Sequence, residues 1–322
     1  VANFLLHCPE DAPKIFDILI KHRAVKKCNF TGSTQVGRII ASQAAMALKP
    51  VLLELGGKNF TIVLEDANLD LAAVEIVKGA FLNVIEKYLH RRIDNGQICM
   101  STDTVITASA IAPTLEAKIL SLVQKIDRTS TVISPAAKLR LEMLVADAQT
   151  KGAKIYTAPP QNYLPTVITG LTKEMILYET ESFGPVVGIL TVDSGAEIIE
   201  IAEQATYGLS ASIISSNHYR AIKLSESIKA GAVHINSMTV HDEPTLPHGG
   251  YGESGWGRFG SKWGIGSLCK PRLSYYIREI AYVISVPGVS PVFPDSPGFG
   301  FRLPVPQFHF QSWGARRLQR RK

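Results

Sequence analysis

The chain has 322 residues, 46% of them hydrophobic and 19% charged, a composition ordinary for a soluble α/β protein that is long enough for two domains. No apolar run reaches the length of a membrane-spanning helix and no secretory signal pattern opens the chain, so we expect no membrane partner. The formal net charge of +6 is concentrated after residue 266, where nine Lys/Arg and two Asp/Glu lie; the nearly neutral remainder argues against nucleic acid as a partner.

Four cysteines, Cys8, Cys28, Cys99 and Cys269, lie far apart and form no C-x-x-C pair. This spacing favours neither a disulfide framework nor a zinc site. We therefore predict a protein of a reducing compartment, the cytoplasm, with no bound metal.

Up to about residue 260, short β-like runs alternate with amphipathic helical patterns. The apolar spacing predicts helices over residues 10–22, 33–48, 111–126 and 136–150, and a further helix that opens at Asp66 with acidic residues in its first turn. It predicts strands over residues 25–30, 51–55, 60–64, 186–192, 210–215 and 232–236. This alternation is typical of βαβ units, so we predict an α/β fold with a largely parallel sheet.

The character of the chain changes after Gly266. Seven of the eighteen prolines fall between Pro271 and Pro306, and the chain ends in GARRLQRRK. No sustained periodicity runs through this segment, which predicts a disordered or loosely attached tail. The alternative is a basic arm for an acidic partner.

FTGSTQVGRI, residues 30–39, predicts a strand, a tight glycine turn and a helix start. Such a turn exposes backbone N–H groups and a helix N-terminus, a favourable place for a phosphate. Arg38 and Ile39 stand where a P-loop needs Lys and Ser/Thr, so a nucleotriphosphatase is not expected. The motif alone also fits a purely structural turn.

Two further motifs each carry one reactive side chain. In LELGGKN, residues 53–59, Glu54 ends an apolar run, as a carboxylate either paired in the core or kept in a cleft as a base. In NGQICMST, residues 95–102, Cys99 is framed by a flexible glycine and small polar residues. It is either a small buried hydrophobe or a nucleophile, and spacing alone leaves both possibilities open.

Two glycine-rich segments complete the set. TESFGPVVGI, residues 180–189, leads through a Gly-Pro turn into a predicted buried strand, and LPHGGYGESGWGRFG, residues 246–260, combines glycines with aromatics. The second segment is typical of a loop that packs closely against a flat partner. Each also fits turn chemistry alone.

Taken together and in this order, these five segments resemble the aldehyde dehydrogenase superfamily over residues 1–264. The family patterns present are F-T-G-S-x-x-x-G, E-L-G-G-K, G-Q-x-C, E-x-F-G-P, and P-x-G-G followed by S-G-x-G-R-F. TVHDEPTLPHGG is most similar to the branch acting on aromatic aldehydes such as salicylaldehyde and vanillin. The resemblance implies the aldehyde dehydrogenase α/β fold, with part of a Rossmann-like cofactor domain over residues 1–56, a catalytic domain over residues 57–264 and a tail over residues 265–322.

The resemblance also implies the chemistry. Cys99 would be the nucleophile that attacks the aldehyde carbon, hydride would pass to NAD or NADP, and Glu54 would be the base that activates water to hydrolyse the thioester. The implied cofactor contacts are Gly32, Ser33, Gly37, Leu55, Glu181 and Phe183. The implied function is NAD(P)-dependent oxidation of an aldehyde, aromatic by this resemblance, to its acid. The alternative is an inactive relative that acts as a binding or oligomer-modulating protein.

The two ends of the chain depart from the family pattern. It opens with the strand and helix that precede F-T-G-S, so the earlier cofactor strands, the Lys at the adenosine ribose and the P-W-N asparagine of the oxyanion hole have no counterpart. Loss of one oxyanion donor costs about 10²–10³ in rate. Family members are homo-oligomers in which a C-terminal strand completes a neighbour's sheet; here the Pro-rich tail takes that place, so we expect the oligomerisation strand to be missing.

About ten extra residues, 85–94, stand between F-x-N and G-Q-x-C. If they extend the preceding helix, Cys99 is displaced by about 15 Å at about 1.5 Å per residue, which would ruin the site. If they loop out onto the surface, the cysteine keeps its place at little entropic cost. The sequence leaves both possibilities open. We hypothesise that this block and the tail are non-family sequence, such as translated non-coding sequence.

Overall fold

The computed structural model describes residues 4–81, 95–126, 132–157 and 165–269, and the backbone of 272–275 and 282–285. The chain divides into two compact units, residues 1–269 and 270–322. The predicted insertion, 85–94, lies outside the described residues, as does most of the tail, so both remain predictions. None of the helices in the described ranges is long and apolar enough to cross a membrane.

Helices and strands alternate along the first unit, as the sequence predicts. The helices in the described ranges are α1 (Ala12–Lys21), α2 (Thr34–Met46), α3 (Leu69–Phe81), α4 (Ala112–Val123), α5 (Pro135–Thr150), α6 (Ile176–Glu179), α7 (Gly195–Gln204), α8 (His218–Ser225) and α9 (Ser261–Leu268). The strands are β1 (Cys28–Thr31), β2 (Val51–Glu54), β3 (Asn59–Val63), β4 (Thr102–Ala108), β5 (Lys154–Thr157), β6 (Thr166–Thr169), β7 (Val186–Val192), β8 (Tyr207–Gly208), β9 (Ser210–Ile214), β10 (Ala232–Ile235), β11 (Tyr251–Gly252) and β12 (Gly255–Trp256).

In the second unit, the described backbone forms β13 (Arg272–Tyr275) and β14 (Tyr282–Ser285), which pair antiparallel. The absence of clear periodicity in this part of the sequence gave no expectation of such a pair.

Two predicted boundaries differ from the structure. The helix expected to open at Asp66 begins at Leu69, because the Asn68 side-chain oxygen accepts hydrogen bonds from the backbone N–H groups of Asp70 at 3.0 Å and Leu71 at 3.1 Å. Asn68 therefore caps the helix and fixes its start. The strand predicted over residues 25–30 is confined to β1, where parallel pairing with β2 begins at Cys28.

The largest sheet has seven strands in the order β10-β9-β3-β4-β7-β6-β5. Every neighbouring pair in it is parallel except β5 with β6. This arrangement confirms the predicted α/β class with a largely parallel sheet.

The sheet is covered on both faces, as parallel sheets require. Consecutive residues of β4 show this: Val105 packs into a core layer with α3 and α4, whereas Ile106 packs into the opposite layer with α5 and α7. Both side chains are essentially inaccessible to solvent. The sheet therefore forms the rigid centre from which the functional loops emerge.

A smaller sheet, β1-β2-β12, lies beside α1 and α2. β1 and β2 are parallel, so their carboxyl ends coincide and Thr31 pairs with Glu54. β12 runs antiparallel to β2 and places Gly255 opposite Glu54. The sheet thus draws strands from both sides of the predicted domain division at residue 56, which remains a prediction.

The loop before β4 is anchored by a close backbone approach at Gly96. This residue has φ of 73°, and a methyl group on its α-carbon would collide with the Gly184 carbonyl oxygen. Gly170 has nearly the same φ, 74°, but faces open space. Of these two glycines, Gly96 therefore combines left-handed backbone with a steric requirement for glycine, whereas Gly170 has the backbone conformation alone.

These two glycines provide a matched stability test. We expect Gly170→Ala to cost about 1–2 kcal/mol, the usual penalty of a left-handed non-glycine residue. Gly96→Ala should cost about 1–3 kcal/mol more, since the added methyl group must displace backbone. Urea unfolding of both variants measures the difference, and equal losses would contradict the close approach.

Candidate active site

Glu54 occupies the last position of β2 and its side chain is almost fully buried. Its Oε2 atom lies 3.4 Å from Nε2 of His248. Its Oε1 atom is buried and has no hydrogen-bond partner within the described ranges. One carboxylate oxygen therefore lies against His248, and the other is buried without a hydrogen-bond partner among the described residues.

Cys99 lies in the short loop that leads into β4, and its own backbone carbonyl and that of the next residue are anchored. The Cys99 carbonyl accepts a hydrogen bond from Nδ2 of Asn59 at 2.8 Å, and the Met100 carbonyl accepts one from Oγ1 of Thr239 at 2.7 Å. The thiol is partly buried and free. These bonds fix the position of the sulfur without using it.

Asn59, the first residue of β3, connects this loop to the centre of the sheet. Besides the Cys99 carbonyl, its Nδ2 donates to the Ser101 carbonyl at 3.0 Å, and its Oδ1 accepts from the Ser210 N–H, also at 3.0 Å. The side chain is only 2% exposed, so all three bonds are shielded from water. One amide therefore holds β3, β9 and the cysteine loop together.

The carboxylate of Glu181 lies against the glycine pair of E-L-G-G-K. Its Oε1 accepts a hydrogen bond from the Gly57 N–H at 2.9 Å, and a methyl group at Gly56 would collide with it. Burial raises the pKa of Glu181 to about 7, even though the Gly57 hydrogen bond opposes this shift. Glu181 is therefore a carboxyl group whose charge changes near neutral pH.

A buried ion pair positions the segment that carries Glu181. Nζ of Lys58 lies 2.7 Å from Oδ1 of Asp103, with the two side chains 10% and 4% exposed. Lys58 also donates to the Thr180 carbonyl at 3.0 Å, and Oδ2 of Asp103 accepts from the Ser182 N–H at 2.7 Å. Residues on both sides of Glu181 are thus tied to this pair, and breaking such a pair typically costs about 3–5 kcal/mol.

These elements bring Cys99 and the two carboxylates together. Burial raises the pKa of the Cys99 thiol, and the charges of Glu181 and then Glu54 raise it further. The thiol is therefore the favoured form in this arrangement, and a positive charge placed among these groups would favour the nucleophilic thiolate. Cys99 lies within electrostatic reach of Glu54, as expected if residues 85–94 do not displace it.

The predicted cofactor turn adjoins the same end of β2. The Gly32 N–H donates to the Glu54 carbonyl at 3.1 Å, and Ser33 caps α2 by accepting from the Val36 N–H at 3.4 Å. Gly37 approaches Leu55 so closely that a methyl group at Gly37 would lie 2.7 Å from Cδ1 of Leu55. The turn therefore presents a capped helix N-terminus beside the base, an arrangement suited to the phosphates of a dinucleotide.

Phe183 adopts φ of 44°, a left-handed conformation that is unusual for a bulky residue. Its ring is partly exposed, whereas the flanking Ser182 and Gly184 are buried. Such strain persists where surrounding contacts impose it, and the buried ion pair fixes the neighbouring Ser182. This conformation is consistent with the predicted contact of Phe183 with a cofactor.

Sequence reasoning missed His248, Asp242, Asn59 and the Lys58–Asp103 pair. Lys58 and Asn59 follow Glu54 within a few residues, so the motif itself carried a signal for them. His248 occupies the variable position of P-x-G-G, and a titratable side chain at that position was the signal that could have revealed it. No local pattern links Asp103 to the site, because its partners Lys58 and Ser182 lie far away in the sequence; Asp242 lies six residues before His248, but the pairing of His248 with the distant Glu54 is what connects Asp242 to the site.

The geometry brings a free thiol and two buried or half-buried carboxyl groups together on an α/β scaffold, and the scaffold can be compared with known proteins. The model of the aldehyde dehydrogenase family matches residues 2–273, nine residues beyond the predicted extent of the resemblance. The chain therefore belongs to the aldehyde dehydrogenase family, which confirms the resemblance seen in its motifs.

Individual relatives point to the same branch. The chain is 39% identical over 278 residues to a vanillin dehydrogenase from a Pseudomonas species, covering 82% of this chain and 55% of that protein. Among solved structures, a salicylaldehyde dehydrogenase from Pseudomonas putida in complex with salicylaldehyde matches with a TM-score of 0.73 and 35% identity, over 81% of this chain and 54% of the other.

An NADP-dependent glyceraldehyde-3-phosphate dehydrogenase from Bacillus halodurans, in complex with NADP, matches with a TM-score of 0.71 and 33% identity, over 79% of this chain and 53% of the other. These matches confirm the predicted fold. The chain spans about half the length of the relatives that it matches.

The hydrogen bonds of Asn59 lead to a stability prediction. Asn59→Ala leaves the carbonyls of Cys99 and Ser101 and the N–H of Ser210 without this partner, and each buried orphan costs about 1–3 kcal/mol. We expect a loss of about 3 kcal/mol or more in urea unfolding, together with faster labelling of Cys99 by a thiol reagent. Asn217→Ala, which removes only the α8 cap, is the control: about 1 kcal/mol lost and unchanged labelling.

The charge of Glu181 leads to a pH prediction. Because that charge raises the pKa of Cys99, Glu181→Gln should shift the pH midpoint of Cys99 alkylation by iodoacetamide to lower pH. The difference from wild type should appear above pH about 7, where Glu181 is ionised. Glu179→Gln makes the same chemical change on an exposed side chain and should leave the midpoint unchanged. A midpoint that moves equally in both variants would contradict the assignment.

Proposed function

We propose that this chain carries the catalytic chemistry of an aldehyde dehydrogenase that oxidises an aldehyde to its carboxylic acid. The observation that supports this most is the proximity of Cys99 and Glu54, which come from two separate family motifs: a methyl group at Gly57, three residues after Glu54, would lie 2.7 Å from the Cys99 carbonyl oxygen, and the charge of Glu54 acts on the Cys99 thiol. The thiol adds to the carbonyl carbon to give a thiohemiacetal, and loss of its hydroxyl proton to solvent and of a hydride would leave a thioester on Cys99.

Glu54 completes the cycle as the general base. Its unpartnered Oε1 takes a proton from water, and the resulting hydroxide attacks the thioester carbon. The Cys99 thiolate leaves and takes the acid proton of the product, so the product departs as its carboxylate and Cys99 returns to the thiol, while the proton from water stays on Glu54. The buried position of Glu54 at a strand end keeps the carboxylate fixed relative to the anchored cysteine loop.

NAD or NADP, when bound, supplies the hydride acceptor. The residues suited to hold it are those of the turn at Gly32, Ser33 and Gly37, with Leu55, Glu181 and Phe183 on the side of the nucleophile. The helix N-terminus of α2 favours phosphate, and Glu181 offers a carboxylate that accepts hydrogen bonds from hydroxyl groups.

The proposed substrate is a small aromatic aldehyde. The support is the identity to vanillin dehydrogenase and the fold match to salicylaldehyde dehydrogenase given above, together with TVHDEPTLPHGG in the sequence. A cytoplasmic location belongs to the same proposal.

The test is NAD(P)H formation, followed by absorbance, from benzaldehyde and salicylaldehyde. We expect turnover by the folded chain and its loss in Cys99→Ser. Glu54→Gln should lower steady-state turnover by about 10²–10⁴ while leaving one rapid turnover, because the thioester then persists. Cys28→Ser, which replaces another free thiol, is the control and should match wild type. A folded chain whose NAD(P)H formation is absent or independent of Cys99 would contradict the proposal and favour an inactive relative.

A further inference from the structure

A chain of three titratable side chains leads from the buried base to the surface. Oε2 of Glu54 lies 3.4 Å from Nε2 of His248, and Nδ1 of His248 lies 3.5 Å from Oδ1 of Asp242. Their side chains are 8%, 14% and 47% exposed in that order, so accessibility rises with each step. A carboxylate–imidazole–carboxylate series of this kind suits the movement of protons.

The imidazole is held firmly in this position. The backbone N–H of His248 donates to the Phe259 carbonyl at 3.0 Å, and the Phe259 N–H donates to the His248 carbonyl at 2.9 Å. The two rings also pack together with centroids 4.8 Å apart. His248 is therefore a fixed bridge.

We propose that His248 accepts the proton that Glu54 removes from water and, with Asp242, passes it to solvent, so that Glu54 is regenerated for the next cycle. This inference rests on the proposed function of Glu54. His248 touches no reacting atom in it and acts through Glu54 as a positioning and proton-accepting residue.

Once Glu54 carries the proton, its carboxyl no longer favours a proton on Nε2 of His248. Asp242 then favours the tautomer of neutral His248 with the proton on Nδ1, because a carboxylate accepts and does not donate. Nε2 is a bare acceptor in this tautomer, and it takes the proton of the Glu54 carboxyl after water exchange has moved that proton from Oε1 to Oε2. The imidazolium so formed loses one proton to solvent on the side of Asp242, and exchange with solvent between the two ring nitrogens restores the starting tautomer, so both groups return to their starting states.

The charges around His248 set the pH at which it can act. Its hydrogen bond to Glu54 and the charges of Glu54 and Asp242 raise its pKa, while burial and the positive charge of Arg258 oppose this. Below its pKa the imidazolium cannot accept a further proton from Glu54. The rate of thioester hydrolysis should therefore rise as pH increases through a value above about 6.5, the ordinary histidine pKa.

The decisive experiment isolates hydrolysis from oxidation. A p-nitrophenyl ester acylates Cys99 directly and needs no dinucleotide, so a burst of nitrophenolate followed by steady turnover reports deacylation by Glu54. His248→Phe keeps a ring of similar size against Phe259 and removes both nitrogens. We expect His248→Phe to lower steady turnover about tenfold and to leave the burst intact. A relay one step away from the reacting atoms contributes less to the rate than a direct base, whose contribution is about 10²–10⁴.

Two readouts separate a relay from a merely structural role. In His248→Phe the rise of rate with pH should disappear, and added imidazole should restore turnover in proportion to its concentration. Asp242→Asn should lower turnover in the same direction by a smaller factor. Glu243→Gln is the control: Glu243 is about as exposed as Asp242 but lies beside His241, so this substitution should leave turnover unchanged.

His248→Gln is a second variant, which keeps a polar side chain at this position. Circular dichroism of both variants detects any loss of folding, so a misfolded variant is not mistaken for a broken relay. A separate NMR titration should show the pKa of His248 falling in Glu54→Gln and, less, in Asp242→Asn. Absence of a Cys99-dependent burst would refute the proposed function. The NMR titration would still show independently whether His248 interacts with Glu54. A normal pH profile in His248→Phe, a loss that imidazole does not restore, or an unchanged His248 titration in Glu54→Gln would overturn the relay.

Discussion

The site depends above all on the side-chain amide of Asn59. Its bonds to the carbonyls of Cys99 and Ser101 and to the N–H of Ser210 are the direct link between the nucleophile's loop and the centre of the parallel sheet. Because the side chain is buried, these bonds are not exchanged for bonds to water. This crosslink, with the bond of Thr239 to the Met100 carbonyl and the Lys58–Asp103 pair beside Glu181, positions the thiol relative to both carboxylates.

Within this frame, the electrostatics of the site oppose ionisation of Cys99. Glu181 and Glu54 lie near its sulfur, and the charges of both raise the pKa of the thiol and so oppose the thiolate. The buried cation Lys58 is paired with Asp103 and positions the segment around Glu181. The arrangement therefore keeps Cys99 in the thiol form, which is less reactive than the thiolate.

The sequence revealed the parts of this protein that local pattern encodes. Amphipathic spacing located α1, α2 and α5, and the motifs singled out Cys99 and Glu54 because each lies in a distinctive local context. β4 escaped detection because T-D-T-V-I-T-A mixes polar and apolar residues, although the strand is buried throughout. β12, with two residues, and the contact of Glu54 with His248 depend on partners distant in the chain, so no local pattern could predict them.

The pairing of β12 with β2 orders the assembly of this region during protein synthesis. Glu54 lies opposite Gly255 in this register, so β2 lacks this second neighbour until some two hundred further residues have left the ribosome. Contacts of such long range form late and slowly. A nascent chain therefore exposes Cys99 well before β12 pairs with the strand that carries Glu54, and the arrangement around the thiol is complete only after that contact forms.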